Sequence, residues 1–95
     1  MKHWQIPNWE EYQHYKKRKP PWIKLYLKLI RNYDFLKLSE AERWLVVGLW
    51  IIAAETDNRI PDDPDYIRSS LHLTRKPDLH RLARLGWIRS IDVLE

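Results

Sequence analysis

The residues of this chain that are best able to do chemistry are cations. Residues 16–19 are four consecutive lysines and arginines, and no acid falls between residues 16 and 31. Such side chains neutralise phosphates, and an arginine can donate two hydrogen bonds to a guanine edge. The pattern therefore favours a surface that binds a polyanion. The residues predicted to contact nucleic acid are Lys16, Lys17, Arg18, Lys19, Lys24, Lys28, Arg31, Arg75, Lys76, His80, Arg81, Arg84 and Arg89.

Six tryptophans accompany these cations. For Trp4 and Trp9, three interpretations stay open: stacking on unpaired bases, a contact with a partner protein, and packing of an N-terminal arm. The remaining four lie on apolar faces of predicted elements, which favours core packing over base stacking. These four are Trp22, Trp44, Trp50 and Trp87.

The sequence holds no pattern that is typical of a catalytic or metal site. It has no cysteine, no glycine-rich phosphate loop and no pair of histidines four residues apart. Zinc sites built on thiolates and cysteine nucleophiles are therefore excluded, and no serine has a base that spacing identifies. The acids between residues 57 and 65 lack the spacing of a calcium loop. We expect a non-enzymatic protein without a metal or a cofactor.

Length and composition predict the scaffold that positions the cations. The chain has 95 residues, is 44% hydrophobic and contains two glycines, which favours one mainly helical domain. Its longest apolar run, residues 44–54, is shorter than the roughly 18 residues that a membrane span needs, and no N-terminal signal region is present. We therefore expect a cytoplasmic protein that does not enter the membrane.

Two helices are predicted before the core. Asn8 and Glu11 have the spacing of an N-cap and its partner, which predicts a short helix to about Lys17 that two prolines then end. Residues 1–21 would thus form an aromatic, basic and helical N-terminal extension. A second, amphipathic helix is predicted over residues 22–33, with its cations on one face and apolar residues on the other. The residues predicted to face inward are Trp22, Tyr26, Leu29 and Tyr33.

The central helix of the core is predicted between Ser39 and Glu55. Ser39 and Glu42 form an S-x-x-E capping box, and the residues from 44 onward are apolar on all faces. Gly48 lies inside this helix, where glycine costs roughly 1 kcal/mol relative to alanine. We therefore expect another element to approach the helix closely at Gly48.

The C-terminal elements have the order of a winged helix-turn-helix, a mainly α fold with a small β-hairpin. This domain would span residues 22–95, and the helix over residues 77–85 would be its recognition helix. Arg81 and Arg84 would lie on the outward side of that helix. The elements predicted after the central helix are a turn at residues 57–58, a very short strand at 59–60, a helix that Asp63 caps, the helix 77–85, a stop at Gly86, a strand at 87–90 and a return over 91–95.

Several of these segments resemble a known protein family. The motif NW-x2-YQHYKKR-x-PPWIKLY is followed by YDF, LW-x2-A, DNRIP and GWI, in a match that runs from Asn8 to Ile88. Together they resemble the N-terminal region of phage and prophage replication proteins of the replisome-organiser or initiator type. The resemblance implies a winged-helix domain that binds DNA in the host cytoplasm, where it would mark a replication origin or recruit helicase-loading machinery.

Two hypotheses of function follow from these observations. The first is a small phage-type winged-helix protein that binds DNA in replication or regulation. The second is a phage-encoded module that inhibits or recruits a host protein complex, as an anti-CRISPR inhibitor does. A short wing and the absence of a further domain after Glu95 favour the second hypothesis. Self-association as a homodimer, with Trp4 and Trp9 covering a neighbour, is a third possibility.

Overall fold

A computed structural model describes residues 2–13 and 20–92 of the chain. The predicted contacts Lys16, Lys17, Arg18 and Lys19 lie outside the described residues. The described part is a mixed α/β domain with a three-stranded antiparallel sheet. Its elements are β1 (Lys2–Gln5), α1 (Trp9–Tyr12), a 3₁₀ helix (Leu27–Arg31), α2 (Tyr33–Leu36), α3 (Glu40–Glu55), β2 (Ile60–Pro61), α4 (Pro64–Ser70), α5 (Leu79–Arg84) and β3 (Arg89–Asp92).

Helix α3 forms the centre of the core, as predicted. The Ser39 hydroxyl accepts a hydrogen bond from the Glu42 amide at 3.1 Å, and the Glu42 carboxylate accepts one from the Ser39 amide at 3.0 Å. The capping box is therefore confirmed. Leu45, Val46, Leu49, Ile52 and Ala53 are buried along the helix.

The close approach predicted at Gly48 is also confirmed. A Cβ added to Gly48 would lie 2.5 Å from Leu71 Cδ1, which is far inside van der Waals contact. The indole Nε1 of Trp44 donates a hydrogen bond to the Leu71 carbonyl at 3.2 Å. The end of α4 is thus held directly against the middle of α3.

The N-terminus supplies the central strand of the sheet, which the sequence did not predict. Strand β1 pairs with β2 on one side and β3 on the other, both antiparallel. Trp4 on β1 is only 1% exposed, and its indole Nε1 donates to Asp62 Oδ1 at 2.9 Å. Because Trp4 and Ile6 point to the same side of the chain, β1 adds two large apolar side chains to the core.

The predicted return of the chain at residue 91 is wrong. Ile91 and Asp92 continue strand β3 and pair with His3 and Lys2 of β1. The physical reason is that β1 offers β3 hydrogen-bonding partners along all four residues from Arg89 to Asp92. Residues 93–95 lie outside the described residues.

The two C-terminal helices agree closely with the prediction. Asp63 caps α4 by accepting a hydrogen bond from the Tyr66 amide at 3.1 Å, and Pro64 is its first residue. Helix α5 begins at Leu79 rather than at residue 77, because Asp78 caps it. Gly86 ends it with a φ of 87°, a conformation that favours glycine. Residues 71–78 connect α4 to α5.

The helix predicted over residues 22–33 is wrong. Residues 23–26 have no helical structure, and only one turn of 3₁₀ helix follows at residues 27–31. The side chain of Gln13 explains the difference, because it takes the place of helical hydrogen bonds. Its carbonyl accepts from the Lys24 amide at 2.9 Å, and its amino group donates to the Lys24 carbonyl at 3.0 Å.

Other local predictions also fail. Asn8 has a φ of 58° and its side chain caps nothing, since α1 is a single turn. Trp22 and Trp44 are 56% and 46% exposed, so the prediction that they lie in the core is wrong. The prediction that Tyr26 and Tyr33 face inward is wrong as well, because both are exposed. Trp50 and Trp87 are partly buried and pack against the core.

Candidate nucleic-acid interface

Two side-chain amides hold the N-terminal segments in place around the candidate site. Gln13 brackets the backbone of Lys24, as described above. Asn58 makes the equivalent contact with Ile6, whose amide donates to Asn58 Oδ1 at 2.7 Å and whose carbonyl accepts from Asn58 Nδ2 at 3.0 Å. Asn58 is buried and has a φ of 61°. Both amides belong to the motifs YQHY and DNRIP, so these motifs fix the path of the chain.

An open cavity of about 260 Å³ lies between the segments that the two amides hold. Its polar lining includes Gln13, Lys24, Lys28 and Asn32. No acid lines it among the described residues. The aromatic side chains that line it come from five separate positions: Trp9, Tyr12, Tyr26, Trp50 and Trp87.

Two of these rings are fixed to each other at the cavity wall. Tyr12 and Tyr26 meet edge to face with ring centroids 5.8 Å apart, and the Tyr26 hydroxyl donates to the Tyr12 carbonyl at 3.1 Å. Both side chains stay more than two-fifths exposed. The pair therefore offers aromatic surface to a ligand from a defined position.

The cavity places two cations, Lys24 and Lys28, near the C-terminal end of α5. Gly86 and Trp87 line it beside Lys24 and Lys28, and Gly86 lies two residues after Arg84. The C-terminal end of α5 is therefore close to the basic segment 24–31. Five predicted contacts have side chains that make no ion pair, hydrogen bond or ring contact with another described residue: Lys24, Lys28, Arg31, Arg75 and Arg84.

The remaining predicted contacts are engaged within the fold. The Lys76 ammonium lies 3.3 Å from Asp65, and Arg89 Nε donates to Gln5 Oε1 at 2.7 Å. His80 packs its ring against the edge of Trp4 at 5.4 Å between centroids. Each of these side chains nevertheless remains exposed.

Arg81 has the strongest of these internal contacts. Its Nε donates to Glu42 Oε2 at 2.6 Å, which joins α5 to the first turn of α3. This hydrogen bond from Arg81 lowers the pKa of Glu42 below its ordinary 4.5, and the Ser39 amide adds to the effect. The same contact raises the pKa of Arg81. Arg81 thus fixes the orientation of α5 and keeps its remaining donors on the surface.

Trp4 and Trp9, for which three interpretations stayed open, have different surroundings in the structure. Trp4 is buried in the core, so stacking on a base or covering a neighbouring molecule is ruled out for it. Trp9 is half-buried and lines the cavity. The alternation of polar and apolar residues from His3 to Ile6 is the signal that could have identified Trp4 as a strand residue.

An exposed apolar surface is the feature that sequence reasoning missed. We call it the apolar ridge, and it consists of the exposed large apolar residues between 22 and 36. Leu27 is 92% exposed and Tyr33 is 72% exposed. The predicted helix would have buried Trp22, Tyr26 and Tyr33, whereas the observed path, a non-helical stretch followed by two short helices, leaves them in solvent. The other members of the apolar ridge are Trp22, Leu25, Tyr26, Ile30 and Leu36.

Within residues 2–13 and 20–92, no three His, Asp or Glu side chains lie close enough together to hold a metal ion. None of the helices in the described part has the length and apolar character needed to cross a membrane. Comparison with models of protein families, with curated proteins and with solved structures found no match for this chain. The resemblance to phage replication proteins stays a prediction.

Proposed function

We propose that this protein is a non-enzymatic DNA-binding domain of the winged-helix type. In this proposal α5 approaches the DNA and the cations of residues 24–31 contact the backbone. The observation that carries it is the cavity described above. Lys24 and Lys28 line it together with aromatic rings, and it lies near the C-terminal end of α5. Cations next to exposed rings suit both the phosphates and the bases of a nucleic acid.

The order of elements supports the winged-helix assignment. Helix α3 is followed by a short strand, two capped helices and a final strand, which matches the order predicted for a winged helix-turn-helix except for the return over residues 91–95. Two features are particular to this chain. Strand β1 lies between β2 and β3, and residues 71–78 make a longer connection than the usual three- or four-residue turn. The resemblance to phage replication proteins suggests replication or its regulation as the setting.

Charge-removing variants test the proposal. We expect Lys28→Ala and Arg84→Ala to weaken DNA binding about three- to ten-fold each at low salt, because each removes a phosphate contact. Arg59→Ala is the matched control, since Arg59 is an exposed arginine outside the predicted set. Fluorescence anisotropy with a labelled oligonucleotide measures all three affinities. Equal affinities for the two variants and the control would contradict the proposal.

The apolar ridge favours a second candidate function, a module that binds a partner protein. Large apolar side chains that stay in solvent together mark interaction surfaces. Lys24, Lys28 and Arg31 are interleaved with them, so the partner surface would be apolar with acidic residues. Leu27→Asp and Ile30→Asp would then abolish capture of one stoichiometric host complex from nuclease-treated lysate. Capture that persists in both variants would exclude the apolar ridge as the binding surface.

A further inference from the structure

We infer that the aromatic cavity binds one unpaired nucleobase, so that the protein prefers DNA with an unpaired strand to an intact duplex. This inference rests on the proposed function and adds a substrate preference to it. The chemistry of the cavity supports it. A surface that binds only phosphates needs cations, whereas this cavity is also lined by aromatic rings and amides.

The walls of the cavity suit a flat ring. Tyr12 and Tyr26 come from one side and Trp50 and Trp87 from the core. Bases stack on such rings whatever their sequence, because each base has a π face. The volume of about 260 Å³ lies just below the usual range for small-molecule sites, roughly 300–1,000 Å³, and therefore suits a single ring system.

Polar groups around the rings suit the edge of a base. Asn32 uses its side-chain oxygen to accept a hydrogen bond from the Phe35 amide at 2.9 Å, which leaves its NH₂ group as a donor. Asn8 also lines the cavity, and its side chain makes no capping hydrogen bond. Amides of this kind both donate and accept, as the edges of bases require.

The charge at the cavity suits a nucleotide rather than a neutral ring. Lys24 and Lys28 both line it and neither makes an ion pair with another described residue. A phosphate attached to a bound base would therefore find a cation beside it. A base inside a duplex cannot reach a recessed site without leaving its stack, which costs a few kcal/mol. The preference for unpaired DNA follows from this cost.

The cavity is also held in shape before any ligand arrives. Gln13 fixes the backbone of Lys24 with two hydrogen bonds, and Tyr26 is tied to the Tyr12 carbonyl. A preformed site loses less entropy on binding than a flexible one. Stacking in this cavity can therefore raise affinity measurably.

The test compares Tyr12→Leu with Tyr33→Leu. Both tyrosines are exposed, but only Tyr12 lines the cavity. Leucine keeps apolar bulk and removes the aromatic face, and the backbone carbonyl that Tyr26 contacts is retained. We expect Tyr12→Leu to weaken binding of a single-stranded oligonucleotide by roughly five- to a hundred-fold, and to change duplex affinity by less than about two-fold. Tyr33→Leu should change neither affinity by more than about two-fold.

A second measurement uses the unaltered protein, so it does not depend on how a variant folds. An abasic oligonucleotide of the same length keeps the phosphates and lacks the bases. We expect the protein to bind it at least about five-fold more weakly than the strand with bases. Equal affinity for the two strands, with DNA binding intact, would overturn the base-binding inference alone. Failure to bind single strand, abasic strand and duplex at low salt would overturn both the inference and the proposed function.

Discussion

At the scale of single residues, the fold depends on a few polar side chains that substitute for secondary structure. Asn58 closes the end of β1 by pairing with both backbone groups of Ile6, and Gln13 does the same for Lys24. A buried backbone group without a partner costs about 1–3 kcal/mol, so Asn58, whose two hydrogen bonds to Ile6 are buried, replaces two such losses. The hydrogen bonds of Gln13 to Lys24 are only partly buried. Both residues therefore stabilise the site, and Gln13 also lines its cavity.

We expect Asn58→Ala to lower the free energy of unfolding by about 2–4 kcal/mol. The substitution leaves the amide and carbonyl of Ile6 unpaired and places alanine at a φ of 61°. Chemical denaturation monitored by tryptophan fluorescence measures the change. His72→Ala is the control for backbone conformation, because His72 has a similar φ of 57° but is exposed. Equal losses in the two variants would show that the Ile6 hydrogen bonds contribute little.

The contact between Glu42 and Arg81 should make stability depend on pH. Because the pKa of Glu42 is lower in the folded state, its contribution is complete above the unfolded value near 4.5 and is lost as pH falls through the folded value. Glu42→Gln should therefore melt at a lower temperature than the unaltered protein at pH 7 and at nearly the same temperature at pH 2. Thermal unfolding followed by circular dichroism across this range measures the difference.

Glu40→Gln is the matched control for that experiment. It removes an acid from the same first turn of α3 without touching Arg81. Any loss from weaker interaction with the helix dipole should appear in both variants. A difference between Glu42→Gln and the unaltered protein that stays constant from pH 7 to pH 2 would contradict the assigned role of the ion pair.

At the scale of elements, local sequence signals predicted the helices from Ser39 onward, but they failed for strand β1 and for the path of residues 22–33. The capping residues Ser39 and Asp63 identified two helix starts, because an N-cap acts within one turn, whereas the cap Asp78 was not recognised and α5 was predicted to begin at residue 77. The path of residues 20–33 depends instead on Gln13, and the position of β1 depends on strands more than fifty residues away. Periodicity within a segment carries no information about such distant partners. Lys24 and Lys28 could be predicted individually as cations of the site, but the aromatic cavity beside them could not.

The packing of α3 against α4 gives a sharp prediction at this scale. We expect Gly48→Ala to lower stability by about 1–2 kcal/mol, although alanine favours helix by roughly 1 kcal/mol. The added methyl group would overlap the buried side chain of Leu71, which must then shift. The side chain at residue 71 is smaller in a Leu71→Val background, so Gly48→Ala should lower stability less there than it does in the unaltered protein. Denaturation midpoints measure both, and a stabilised Gly48→Ala protein would contradict the close approach.

At the scale of the whole molecule, positive and negative side chains are concentrated in different stretches of the chain. The cations of residues 24–31 lie beside the end of α5, while most acids between residues 55 and 65 lie around β2 and the start of α4. A net charge of +4 is small, so the arrangement of the charges matters more than their sum. In the proposed function, this arrangement directs a polyanion to the surface around Lys24 and Lys28.

The central claim is that this surface binds DNA through phosphates, and the salt dependence of the affinity tests it most directly. If the cations of the chain neutralise about six phosphates, the logarithm of the association constant should fall with the logarithm of salt concentration with a slope near −5. Titration of a labelled oligonucleotide by fluorescence anisotropy between about 20 and 200 mM NaCl measures this slope. We predict binding at low salt with a slope between about −4 and −6. Absence of binding at the lowest salt concentration, or an affinity that does not change with salt, would contradict the account.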